Sequence, residues 1–231
     1  EKRVQAAIRS FPHSSVAEPF LVGGVDGSGD YPSFSYEDSF VYVASASGTV
    51  YKTDAVHGLR EEESLPEPSV ELIWLPEDQD MACGRWLSAL EALAGRPVRD
   101  VIEASDYREL KDRTSRTKHS VVQLLEHLIL PRASDTANVG IQLRSTAELG
   151  VALRLVGRQS ACRYVLMDTT YSLPLVRTPA GSLFYEHVKR LCCVEARNRG
   201  VLFCTISKSH GLPSMEVVEG IAAEVQGIEA G

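Results

Sequence analysis

With 231 residues, 44% of them hydrophobic, the chain has room for one large domain or two small ones and enough apolar content for a sizeable core. Its apolar runs are too short to cross a bilayer and its opening, EKRVQAAIRSFPHSS, lacks the apolar centre of a secretory signal, so no membrane partner and a cytoplasmic location are expected. The net charge of −7 argues against a uniformly basic nucleic-acid binder, yet residues 61–80 hold eight acids and no Lys or Arg, and the remainder sums to +1. A local basic groove therefore stays compatible with the composition.

In chain order, residues 1–10 read as the end of a short helix. FLVGGVD (20–26) reads as a buried strand. SFVYVASAS (39–47) and TVYKTD (49–54) read as the two strands of a hairpin, with SGT (47–49) as its turn. VELIWLP (70–76) is a further strand within the acidic stretch, which reads as an insertion over 61–80. DMACGRWLSALEALAG (80–95) is an amphipathic helix ending at Gly95. Residues 105–130 look helical up to Pro131, and 134–158 form a second long helix with Leu143, Ala147, Val151 and Leu155 on one face. Then follow a strand at 161–168, a helix at 182–200 stopped by Gly200, a strand at 201–207 and a helix at 214–227. Strands come first as a meander and later alternate with helices. The expected fold is α/β, a mixed sheet of antiparallel strands extended by parallel ones and flanked by helices, in a single domain over 1–231.

The five cysteines, Cys83, Cys162, Cys192, Cys193 and Cys204, are odd in number and form no CxxC pair, which argues against a disulfide framework or a zinc knuckle. The acids carry more chemistry. Asp26 closes the first strand and Asp168 closes the first strand after the long helices; if those strands are parallel neighbours, both carboxylates emerge at one end of the sheet. Glu148, on the helix before the Asp168 strand, can lean over that end. Three converging carboxylates raise one another's pKa unless a hard cation joins them, and oxygen donors suit Mg²⁺ or Mn²⁺. Two such ions roughly 3.5–4 Å apart would clamp the attacking and leaving oxygens of a phosphodiester. Gly23, Gly24 and Gly27 would admit a phosphate backbone, and Ser28 would bond the backbone or orient Asp26. Taken singly, Asp26 reads equally as a turn residue and Glu148 as a solvated partner of Arg144 or Arg154. Basic residues of 107–120, among them Arg113 and Lys118, would hold a nucleic-acid strand.

GGVDGSGDYPSF with SFVYVASASGTVY, then RSTAELGVAL, YVLMDTTYSLP and GVLFCTISKSHG, resembles the NurA family of nucleases over residues 20–215, the order VDGS, AEL, LMD, SKS being more specific than any one motif. The resemblance implies an RNase H-like fold in which Asp26, Glu148 and Asp168 bind Mn²⁺ or Mg²⁺, with Lys208 near the phosphate. It implies a metal-dependent deoxyribonuclease, dimeric, working on DNA ends with a hexameric HerA-type ATPase in repair or defence against phage. The rival expectation on the same fold is an inactive adaptor docked on the ATPase ring, with the acidic stretch, Trp74 and Trp86 available for the interface. The family domain continues past the last helix. Either Glu216 or Glu219 therefore supplies a fourth acid, or the C-terminal part of the domain is missing here, as upstream residues are when a chain begins without Met. GVDGSGD also resembles the phosphate loop of actin and sugar kinases, but the second glycine-rich loop of that fold has no counterpart.

Overall fold

The computed structural model describes residues 18–54, 58–62, 67–105, 128, 130–158, 162–168, 183–206, 220–221 and 223–224. They fall into two units. One is Pro19–Ile206; the other joins residues 1–18 to 207–231, and what is described of it is Glu18 and helical positions at 220–221 and 223–224.

The larger unit runs β1 (Leu21–Ser28), β2 (Phe34–Ser35), β3 (Ser39–Asp54), β4 (Gly58–Glu61), β5 (Ser69–Pro76), α1 (Gln79–Ala94), α2 (Val98–Ala104), α3 (Thr136–Val156), β6 (Tyr164–Met167), α4 (Phe184–Arg199) and β7 (Leu202–Thr205). The strands form one mixed sheet. β1 lies antiparallel to β3, with Leu21 opposite Lys52 and Ser28 opposite Ser45. β5 lines the other edge of β3 from Ser39 to Ala46, so its main strands stand in the order β5-β3-β1-β6-β7. β6 is parallel to β1, and β7 is parallel to β6. The expected combination of an antiparallel meander with a parallel extension is therefore present, and the acidic stretch contributes β5 to it.

One expectation fails. SGT at 47–49 is not a turn: Ser47, Gly48 and Thr49 lie opposite Asp26, Val25 and Gly24 within one 16-residue strand. The reversal comes earlier, where Tyr36 N–H donates to the Ser39 carbonyl at 2.8 Å. Pairing explains the difference. The peptide groups of Ser47, Gly48 and Thr49 find ladder partners on β1 that outweigh the local turn preference of Ser and Gly. Helix α2 was also not anticipated. Most of the expected 105–130 helix and the outer ends of the chain lie outside the described residues.

Side chains alternate across the pleat. On β3, Tyr42, Ala44, Ala46 and Val50 are buried beneath α3, while Val43 faces out, as do its β5 neighbours Val70 and Leu72. Helix α3 crosses β1 and β3 on the buried face, with α1 packed against it and β5, and α4 against it and β7. The expected stripe of Leu143, Ala147, Val151 and Leu155 is wholly buried, each leucine contributing about 1.5–3 kcal/mol by leaving water. Burial spreads well beyond the stripe, however: from Thr146 to Val156 every residue but Arg154 is buried, so α3 is a central helix and not a surface one. Burial pushes the Cys162 and Cys192 thiols up, which keeps them in the inert thiol form.

Candidate metal centre

Asp26 lies on β1, where Gly23, Val25 and Gly27 face the helices and Asp26 and Ser28 face the uncovered side. Its carboxylate is exposed, and its Oδ1 accepts a bond from Gly27 N–H at 3.1 Å. The parallel register pairs Val25 with Met167, so Asp26 stands abreast of Asp168, the first residue past β6. Both aspartates are exposed just past the last parallel pair, Val25–Met167, where an open sheet offers a site, although β1 itself does not end at Asp26 but runs on to Ser28 against β3. Ser28 does not hold Asp26; its hydroxyl is 3.2 Å from that of Ser45 across the ladder.

Glu148 comes from the other side. It sits on α3 with 6% of its surface exposed, pressed on β1 at Gly27. A Cβ at position 27 would come within 2.7 Å of Glu148 Cγ and 3.1 Å of its Oε1, so the glycine makes room for the carboxyl rather than for a phosphate. Burial raises the Glu148 pKa to about 7; Arg144 opposes the rise, and the charges of Asp26, Asp168 and Asp30 add to it. The fields of both expected partners therefore reach Glu148.

Two residues of the site were not singled out as functional. Asp30 Oδ2 pairs with Arg144 Nη1 at 2.8 Å, and Arg144 Nε lies 3.6 Å from Glu148 Oε1. Asp30 Oδ1 and Arg144 Nε are buried without a hydrogen-bond partner. The Arg144–Glu148 pairing follows from i,i+4 spacing, but Asp30 is 114 positions from Arg144 and carries no local signal.

Lys208, Arg113 and Lys118 lie outside the described residues, as do Glu216 and Glu219. Trp86 is in the core; Trp74 is partly exposed, with the Arg85 guanidinium 4.5 Å from its ring centroid. Among the described residues no helix is long and apolar enough to cross a membrane.

Among the described residues no group of three or more His, Cys, Asp or Glu side chains is gathered to hold a metal ion. The donor chemistry nevertheless fits a hard divalent cation. Asp26, Asp168 and Glu148 offer only carboxylate oxygens, and such an ion would offset both the burial of the Glu148 charge and its repulsion from the aspartates. No protein-family model, no curated protein and no solved structure matches the chain.

Proposed function

We propose that the chain is a metal-dependent deoxyribonuclease of RNase H-like fold, with Asp26, Glu148 and Asp168 as its metal ligands. The observation that carries this reading is the pair of aspartates abreast just past the Val25–Met167 parallel pair, with a buried glutamate whose pKa is raised chiefly by burial and further by both of them. The sheet order β5-β3-β1-β6-β7 supports the fold assignment, because it puts the motif aspartates on neighbouring strands. The chemistry supplied by bound Mn²⁺ or Mg²⁺ is activation of the attacking water and stabilisation of the departing 3′-oxygen. Asp26 and Asp168, exposed on the uncovered side of the sheet, and Glu148, seated against Gly27 and freed of its proton, would hold the ion. Arg113, Lys118 and Lys208 hold the DNA backbone, with Ser28 on the same face as Asp26. Partnership with a HerA-type hexameric ATPase and a homodimeric state belong to the same proposal and rest on the motif resemblance.

A second reading, an inactive adaptor that docks on the ATPase ring, is favoured by one observation: Arg144 already pairs with both Asp30 and Glu148. Incubating the chain with linear DNA separates the two. The nuclease reading expects degradation that needs Mn²⁺, stops with chelator and is absent in Asp26→Ala. Undiminished cleavage by Asp26→Ala rejects the site, and a stable ATPase complex without cleavage favours the adaptor.

A further inference from the structure

We propose that the Asp30–Arg144 ion pair is a positioning strut that sets where Glu148 stands relative to Asp26; the proposal rests on the reading of these carboxylates as a metal centre. Gly140, Arg144 and Glu148 recur every four residues on α3 and form one stripe along three successive turns. The segment that follows Asp26 is laid along that stripe. Gly27 meets Glu148, Asp30 meets Arg144, and the Asp30 backbone carbonyl rests where a Cβ on Gly140 would be. Each turn of the helix thus has its own contact in the GSGD segment, and Arg144 is the middle one.

A guanidinium suits this role. Its Nη1 bonds Asp30 Oδ2 at 2.8 Å while its Nε faces Glu148 Oε1 at 3.6 Å, so one rigid plane spans two carboxylates. A lysine offers a single flexible point charge and cannot hold both. Asp30 and Arg144 keep 39% and 33% of their side-chain surface, and an ion pair so exposed adds little to stability. Losing the strut should therefore leave the fold intact and free Glu148 to leave its place.

Charge alone makes a different forecast from geometry. At a pH high enough that Glu148 is ionised in every variant, removing Arg144 takes away a competing positive charge and would tighten cation binding, whereas removing Asp30 takes away a negative charge and would weaken it. Only positioning makes both weaken it. The test is Mn²⁺ binding to the full chain, followed by electron paramagnetic resonance of the free ion, for wild type, Asp26→Asn, Asp30→Asn, Arg144→Gln, Arg144→Lys and the Asp30→Asn/Arg144→Gln double variant, with urea midpoints alongside. Supporting groups of a metal ligand typically matter by factors of ten or more, so each single neutral variant should lose about tenfold in Mn²⁺ affinity with little change in midpoint. The double variant should lose no more than the worse single one, because both break the same strut, and Arg144→Lys should recover only part. Wild-type affinity or tighter binding in Arg144→Gln, or losses that add in the double variant, overturns the strut. If Arg144→Gln does not fold, Arg144→Lys decides alone, because it keeps the charge and loses only the planar fork: wild-type affinity overturns the strut, and a loss of several-fold supports it. Mn²⁺ binding to wild type that is absent, or is unaffected by Asp26→Asn, overturns the metal-centre reading itself and the strut with it.

Discussion

Gly27 on β1 and Glu148 on α3 touch so closely that the site depends on a missing side chain: a Cβ at position 27 would stand 2.7 Å from Glu148 Cγ and 2.8 Å from the Ser45 carbonyl oxygen. Gly27→Ala must move either the helix or the strand. Overpacking of this kind costs about 1–3 kcal/mol, to be measured by urea denaturation, and it should weaken Mn²⁺ binding as well. Gly24→Ala is the matched control: nothing lies within 4 Å of a Cβ there, so its stability should stay close to wild type.

Glu148 should make stability fall as pH rises. Its pKa is raised from 4.5 to about 7 in the folded chain, chiefly by burial, so between those values the native state holds more protons than the unfolded one. Stability from this group is greatest below the unfolded value and is lost as pH climbs through the folded one. Glu148→Gln removes the dependence. Measured by denaturation without metal, the variant should gain on wild type by up to about 3 kcal/mol near pH 8, with the gain vanishing toward about pH 4. A gain that grows as pH falls would contradict the assignment.

The same proton opposes metal binding. Because Glu148 must ionise to ligate, Mn²⁺ affinity of wild type should rise as pH passes through about 7 and then level off. In Glu148→Gln the affinity should be weaker and the rise near neutrality absent. Titrations of both proteins at matched pH values check this directly.

Asp26→Asn and Asp168→Asn should behave differently from the Gly27 variant. Both aspartates are exposed, so each change should alter stability by no more than about 0.5 kcal/mol. Mn²⁺-dependent degradation of linear DNA should nevertheless be lost in each. Variants that keep their activity, or that lose it only by unfolding, would contradict the ligand roles.

DNA affinity should fall steeply with salt. Each phosphate contact contributes nearly one to the slope of log affinity against log salt, so Arg113→Gln together with Lys118→Gln should lower that slope by about 2. An unchanged slope would remove these residues from the DNA-binding surface.

How much of this was legible in the sequence depended on whether the signal was local. β1, α3 and β6 show in their own residues: a β-branched and glycine run, a long stripe with Leu143 and Leu155, and the YVLM strand. The placement of Asp26 beside Asp168 followed from one topological condition, that their strands be parallel neighbours, and β1 and β6 meet it. Pairing partners were not legible. Ser47-Gly48-Thr49 has the composition of a turn and becomes mid-strand only because β1 lies along it. Gly27 looked like an opening for phosphate, since nothing in its neighbours tells that a helix from residues 136–156 will press a carboxyl there. Asp30 and Arg144 are joined by tertiary packing alone, and neither residue's surroundings in the sequence announce the other.

The central claim is that Asp26, Glu148 and Asp168 close on one divalent centre. Its most direct measurement is the anomalous scattering of Mn²⁺ in crystals of the chain grown with the ion. The account predicts a peak between these three carboxylates, with Glu148 Oε1 among its ligands. Mn²⁺ bound elsewhere while the three carboxylates stay apart would contradict it.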